Sequence, residues 1–149
     1  MITKQWRTER TGWRDEELSK RHGLWGFNCP AVDLDFVMME YNHGKPCALI
    51  EYKNVNAKPI DPTHATYRAL VDLADNYGPG ALPCFVAKYD NKDWWFEVQP
   101  LNEKARKYYE HCQGQRLSEQ RFVKSLLLLR MKVLGKTDLE TLATLNNVT

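Results

Sequence analysis

Three acidic residues and one lysine sit on two apolar stretches separated by a turn. The first stretch reads Val32-Asp33-Leu34-Asp35-Phe36-Val37 and the second Ala48-Leu49-Ile50-Glu51-Tyr52-Lys53. Strand side chains alternate, so Asp33 and Asp35 share one face of the first stretch, and Glu51 and Lys53 share one face of the second. Pairing through the turn would bring carboxylates from both strands together with one ammonium beside them. Two or three convergent oxygen anions suit a hard divalent cation, Mg²⁺ or Mn²⁺, and the backbone carbonyl of Tyr52 offers a further oxygen. A cation so held can polarise a phosphoryl oxygen, lower the pKa of water and offset charge in a phosphodiester transition state. The lysine adds a fixed positive charge beside a phosphate and can orient or help deprotonate an attacking water. A plainer alternative is a surface salt bridge between Glu51 and Lys53, worth under ~1 kcal/mol, with the aspartates blunting a strand edge. Like charges on one face next to Glu51 argue against that alternative unless a cation binds there.

The elements that must position these residues can be read from periodicity and turn chemistry. Val32 to Tyr41 is rich in strand formers, Asn42-His43-Gly44-Lys45 forms a turn in which Gly44 can take positive φ, and Pro46 to Lys53 is the return strand of a β-hairpin. Before it, residues 10 to 22 read as a polar helix ended by Gly23. After it, Thr63 to Tyr77 carries Tyr67, Leu70, Val71, Ala74 and Tyr77 at the spacing of a core-facing helical stripe, stopped by Gly78-Pro79-Gly80. Leu82 to Tyr89 and Trp94 to Val98 are two more strands, joined by a turn at 90–93. Two helices follow, about 102 to 112 and 118 to 134. The second has Ser118 as N-cap, Phe122, Leu126, Leu129 and Val133 inward, and Gly135 as its stop. The order αββαββαα describes an α/β chain of the α+β kind, a mixed four-stranded sheet flanked by helices. Residues 1–149 form one expected domain: an N-terminal helix and loop over 1–30, a sheet core over 31–100 and basic helices over 101–149.

An aspartate, a strand–turn–strand, and Glu-x-Lys after an apolar run, sixteen residues beyond Asp35, together resemble the PD-(D/E)XK nuclease superfamily. That superfamily includes restriction endonucleases, Holliday-junction resolvases and small phage or mobile-element nucleases. The resemblance covers roughly residues 10 to 100. It implies a restriction-endonuclease-like core, Asp35 and Glu51 as ligands of Mg²⁺ or Mn²⁺, and Lys53 at the scissile phosphate. Leu34 stands where many members have proline. Asp33 is a second candidate for the aspartate; Asp35 is preferred because the apolar run Phe36-Val37-Met38-Met39 follows it directly. Members often place a further glutamate on the first helix, for which Glu16 and Glu17 are available, Glu17 preferred. Members often add polar residues to the site from the helix after Glu-x-Lys, for which His64 and Arg68 are available, Arg68 as a nucleic-acid contact.

Charge is unevenly spread. Residues 33 to 103 hold eleven acids against six bases, whereas residues 104 to 136 hold nine bases against two acids. Basic flanks around an acidic centre suit a protein that grips a polyanion, and Arg121, Lys124 and Lys132 fall on one side of the last long helix, where they can meet phosphates. Trp94 and Trp95, adjacent on a strand, are expected to pack one against the core and leave the other half covered. Cys29, Cys47, Cys84 and Cys112 show no C-x-x-C spacing and read as reduced thiols rather than a zinc set. No apolar run approaches the ~18 residues of a membrane span, and residues 1–7 are polar, so the expectation is an intracellular, cytoplasmic protein, with phage origin suggested by size and resemblance. The expected activity is metal-dependent hydrolysis of phosphodiester bonds in DNA rather than RNA, endonucleolytic, with a homodimer compatible with cutting two strands. Two alternatives come from other classes: a catalytically inactive nucleic-acid-binding or regulatory module on the same fold, and a protein-interaction protein.

Overall fold

The computed structural model describes residues 16–25, 34–40 and 43–134. The chain divides into two compact units, Met1–Asp33 and Leu34–Thr149. Within the first, α1 (Glu16–Trp25) is helical and runs through Gly23 instead of ending there. The expected helix over residues 10–15 lies outside the described residues.

The second unit is built on a mixed sheet. Strands β1 (Phe36–Glu40) and β2 (Lys45–Asn54) form the expected hairpin, with Gly44 at φ +62° in its turn. Helix α2 (Ala65–Asp75) crosses from β2 to β3 (Cys84–Tyr89), which runs parallel to β2. β4 (Trp95–Pro100) returns antiparallel to β3. Next come α3 (Glu103–Tyr109), a 3₁₀ turn (Glu110–Cys112), β5 (Leu117–Ser118) and α4 (Glu119–Leu134). The sheet order is β1-β2-β3-β4-β5. The four-strand expectation is thus corrected to five: β5, two residues long, adds antiparallel to β4. It is too short to carry a period, and tertiary pairing alone defines it.

The sheet separates two apolar layers. On one face Ala48, Ile50, Phe85, Ala87, Phe96 and Val98 meet α3 and α4 through Ala105, Tyr109, Phe122 and Leu129. In this larger core Phe96 stacks on Phe122 at 4.3 Å between ring centroids. On the other face Leu49, Cys84 and Val86 are covered by Tyr67, Leu70 and Ala74 of α2, the stripe that the helical spacing predicts. α2 starts where His64 caps it, accepting a hydrogen bond from the Thr66 N–H at Nδ1 (3.3 Å). It ends at Asn76, earlier than the expected Tyr77.

Asn102 ties the layers together. Its Oδ1 accepts from the N–H of Ala105, capping α3, and from the N–H of Cys84, both at 3.0 Å. Its Nδ2 donates to the Leu82 carbonyl at 2.7 Å and to Asp75 at 2.9 Å. A buried side-chain amide can make about four hydrogen bonds, and this one makes them all. A second polar tie is Glu40, fully buried at the end of β1. It accepts from Arg130 of α4 (3.1 Å) and from the His43 backbone N–H (2.6 Å), and it bonds the His43 ring. His43 lies at the surface, its side chain 63% exposed, and contacts the buried acid from there. Ser118 accepts from the Arg121 N–H as the expected N-cap of α4.

Candidate active site

β1 pairs with β2 so that Phe36 lies opposite Ile50. Stepping back one residue on β1 and forward one on β2 puts Asp35 opposite Glu51. Alternation places both on the α2 face of the sheet, the same face as Leu49 and Val86, and Lys53 follows Glu51 on that face. The Tyr52 N–H donates to Asp35 Oδ2 at 3.3 Å, and Lys53 Nζ stands 3.8 Å from Glu51 Oε1. The three residues singled out from sequence are brought together.

Glu51 is the unusual member. It is 9% exposed, and its Oε2 is buried with no hydrogen-bond partner. Burial pushes its pKa up, and the neighbouring Asp35 charge and a carboxyl–carboxyl hydrogen bond push the same way; Lys53 and the Asp35 backbone N–H pull it down. A buried acceptor left without a partner costs ~1–3 kcal/mol or more when charged. The Glu51 charge reaches Cys84 as well, whose thiol is pushed up to about 12 by burial, Asp75 and Glu51. That thiol stays protonated and structural, with no nucleophilic character at neutral pH. Cys47, Cys84 and Cys112 are free and buried, as reduced thiols; Cys29 lies outside the described residues.

Two carboxylates on facing strands, one of them with a buried oxygen that has no hydrogen-bond partner, fit a divalent cation. A third oxygen is in the right direction. In an extended strand the N–H and C=O of one residue point to the same side. The Tyr52 N–H points at Asp35, so the Tyr52 carbonyl also points toward β1, past the last paired residue Phe36. Among the described residues no group of three or more His, Cys, Asp or Glu side chains converges. The candidate ligand set is therefore Asp35, Glu51 and the Tyr52 carbonyl.

Asp33 lies outside the described residues. Glu17 is exposed on α1 of the first unit, where Glu16 begins the same helix. Arg68 is exposed in the first turn of α2, where its backbone N–H donates to the His64 carbonyl at 3.1 Å. Arg121, Lys124 and Lys132 do not form one stripe aimed at the trio. They stand on α4, which packs on the opposite face of the sheet from Glu51. Arg121 and Lys124 border a hollow with His111 and Leu128, while Lys132 lies over the Tyr108 ring at 5.0 Å from its centroid. Tyr108 of α3 borders both that hollow and Lys132.

Sequence reasoning missed the cationic residues Lys88 and Arg116 that β3 and the β5 approach add to the site's own face. The registers align Lys53 with Lys88 and Lys88 with Glu97 across three strands. Trp95 falls on that face too, with the Arg116 guanidinium 4.1 Å over its ring. Neither tryptophan is the core residue expected: Trp95 is half-buried under Arg116, and Trp94 is exposed, stacked on Tyr89 at φ +50°. Phe96 fills the core position instead. The signal that finds Lys88 is sheet register, which a single sequence does not contain. No helix among the described residues is long and apolar enough to cross a membrane. No family model matches the chain, and neither a curated protein nor a solved structure is significantly similar to it.

Proposed function

We propose that the chain is a divalent-metal-dependent nuclease that hydrolyses phosphodiester bonds in DNA, with Asp35, Glu51 and Lys53 as its working residues. One observation carries the reading: Asp35 and Glu51 face each other across β1 and β2, with the buried Glu51 Oε2 unpartnered and Lys53 at 3.8 Å. The element order α1-β1-β2-α2-β3-β4, with β2 parallel to β3, supports the restriction-endonuclease-like core that the Asp…Glu-x-Lys resemblance implies.

In this reading Asp35, Glu51 and the Tyr52 carbonyl hold Mg²⁺ or Mn²⁺. The bound ion supplies Lewis-acid polarisation and positive charge at the phosphoryl group. Lys53, half-exposed at the open end of β2, binds a phosphate oxygen and orients the attacking water through its three donors. Its neighbour Lys88 extends positive charge across the sheet and holds the adjacent phosphate. Trp95, braced by Arg116, offers an apolar face to a base or sugar. Removing Lys53 leaves the carboxylates intact, so Lys53→Ala should lose about 10²–10⁴ in rate while metal binding persists. Binding of DNA without cleavage under any metal would instead assign the fold to a nucleic-acid-binding module.

A further inference from the structure

At the end of the sheet where β2 begins, a cleft of about 650 Å³ opens between the start of β2, the segment after α2, α3 and α4. Lys45, Lys104, Lys107 and Lys132 stand around it with Tyr77 and Tyr108, and no acidic side chain among the described residues lines it. Its floor is apolar, formed by Cys47, Leu82 and Leu129, all buried, with Pro46, Pro79 and Pro83 at the sides.

Four ammonium groups around one cavity repel each other, and none of them forms an ion pair with a described residue. Acids near this end are already engaged: Glu40 by Arg130 and His43, Asp75 by Asn102. Lys132 is held over the Tyr108 ring, and Lys104 Nζ packs beside Gly80. A ligand that satisfies both halves carries several negative charges at one end and a flat apolar body at the other. The cavity volume falls within the ~300–1,000 Å³ of small-molecule sites.

We propose that this cleft binds a small organic phosphate of the nucleoside di- or triphosphate class, with the phosphates among Lys45, Lys104, Lys107 and Lys132 and the ring against Tyr77 and the apolar floor. A nucleic-acid backbone is the weaker fit, because it would meet the lysines at the rim and leave the buried floor unfilled. The cleft is separate from the candidate active site. Cys47 and Glu51 are four residues apart on β2, about 13 Å, and α2 covers Leu49 between them. The proposal therefore stands whether or not the nuclease reading does.

Isothermal titration calorimetry of the full chain with ADP, inorganic pyrophosphate, adenosine and a short single-stranded oligonucleotide tests it. ADP should bind saturably, about ten-fold or more tighter than pyrophosphate or adenosine, and the double variant Lys104→Glu/Lys107→Glu should weaken it about ten-fold with the melting temperature unchanged. Tyr77→Ala should weaken ADP but leave pyrophosphate unaffected, and Glu51→Gln should bind ADP like the wild type. Equal affinity for ADP and pyrophosphate, binding of the oligonucleotide alone, or no saturable binding at millimolar ADP would each overturn the proposal.

Discussion

Glu51→Gln in metal-free buffer should make the protein more stable. Glu51 is buried, one of its oxygens lacks a partner, and Asp35 faces it from the neighbouring strand. Two carboxylates about 5 Å apart at an effective dielectric of about 20 repel by about 3 kcal/mol. Asp35 is exposed, so solvent screens part of this, and Lys53 returns less than about 1 kcal/mol, leaving a net penalty of about 1–2 kcal/mol. Glutamine removes the charge, keeps the shape and can donate its amide to Asp35. For a chain of this size the gain corresponds to a melting temperature higher by roughly 3–6 °C. The pH dependence follows from linkage. The folded-state pKa of Glu51 lies above its unfolded value, so the native state holds more protons, and wild-type stability falls as pH rises through that raised pKa. The two proteins should therefore melt alike below about pH 4, where Glu51 is protonated folded and unfolded, and diverge as pH rises toward neutral. Added Mn²⁺ should reverse the order: at about 100-fold above its Kd it stabilises the wild type by about 2.7 kcal/mol and leaves Glu51→Gln unmoved. Thermal unfolding followed by circular dichroism, with EDTA and then with Mn²⁺, reads all three arms. A variant that is less stable at every pH, or a gap that does not change with pH, would refute the reasoning.

Two further outcomes concern the ties that hold the site's scaffold. Asn102→Ala removes the α3 cap and strands the Cys84 N–H and the Leu82 carbonyl in the core, so chemical denaturation should report a loss of about 3–5 kcal/mol; a loss under about 1 kcal/mol would mean that water replaces the amide. Glu40→Ala leaves Arg130 beside a buried void and should cost about 3 kcal/mol, the low end for a broken buried pair because Arg130 is partly exposed. The loss in Glu40→Ala combined with Arg130→Met should be smaller than the sum of the two single losses, measured by the same denaturation.

The hairpin and the meeting of Asp35, Glu51 and Lys53 were legible because they are local. Alternation places Glu51 and Lys53 on one face, Gly44 marks the turn, and together they fix which residues can meet. The α2 stripe was legible for the same reason, in a 3.6-residue period. What remained hidden depends on partners far apart in the chain. β5 has two residues and exists only through β4. Lys88 joins the site by register with Lys53, and Lys132 lies over Tyr108, a ring that α3 presents to α4. Glu40 ends an apolar run, an acid where a strand should stay apolar, and that oddity is the trace its buried tie to Arg130 leaves in the sequence. Asn102 is recognisable as a helix cap; its hold on the Cys84 N–H and Leu82 carbonyl is not.

The most direct measurement is incubation of purified wild type, Glu51→Ala and Lys53→Ala with supercoiled plasmid, single-stranded DNA and a four-way junction, each with Mg²⁺, Mn²⁺ or EDTA. Cleavage of at least one substrate by the wild type, abolished by EDTA and by both substitutions in folded protein, is the predicted result. Equal cleavage by all three proteins, or none by the wild type with either metal, would contradict the account.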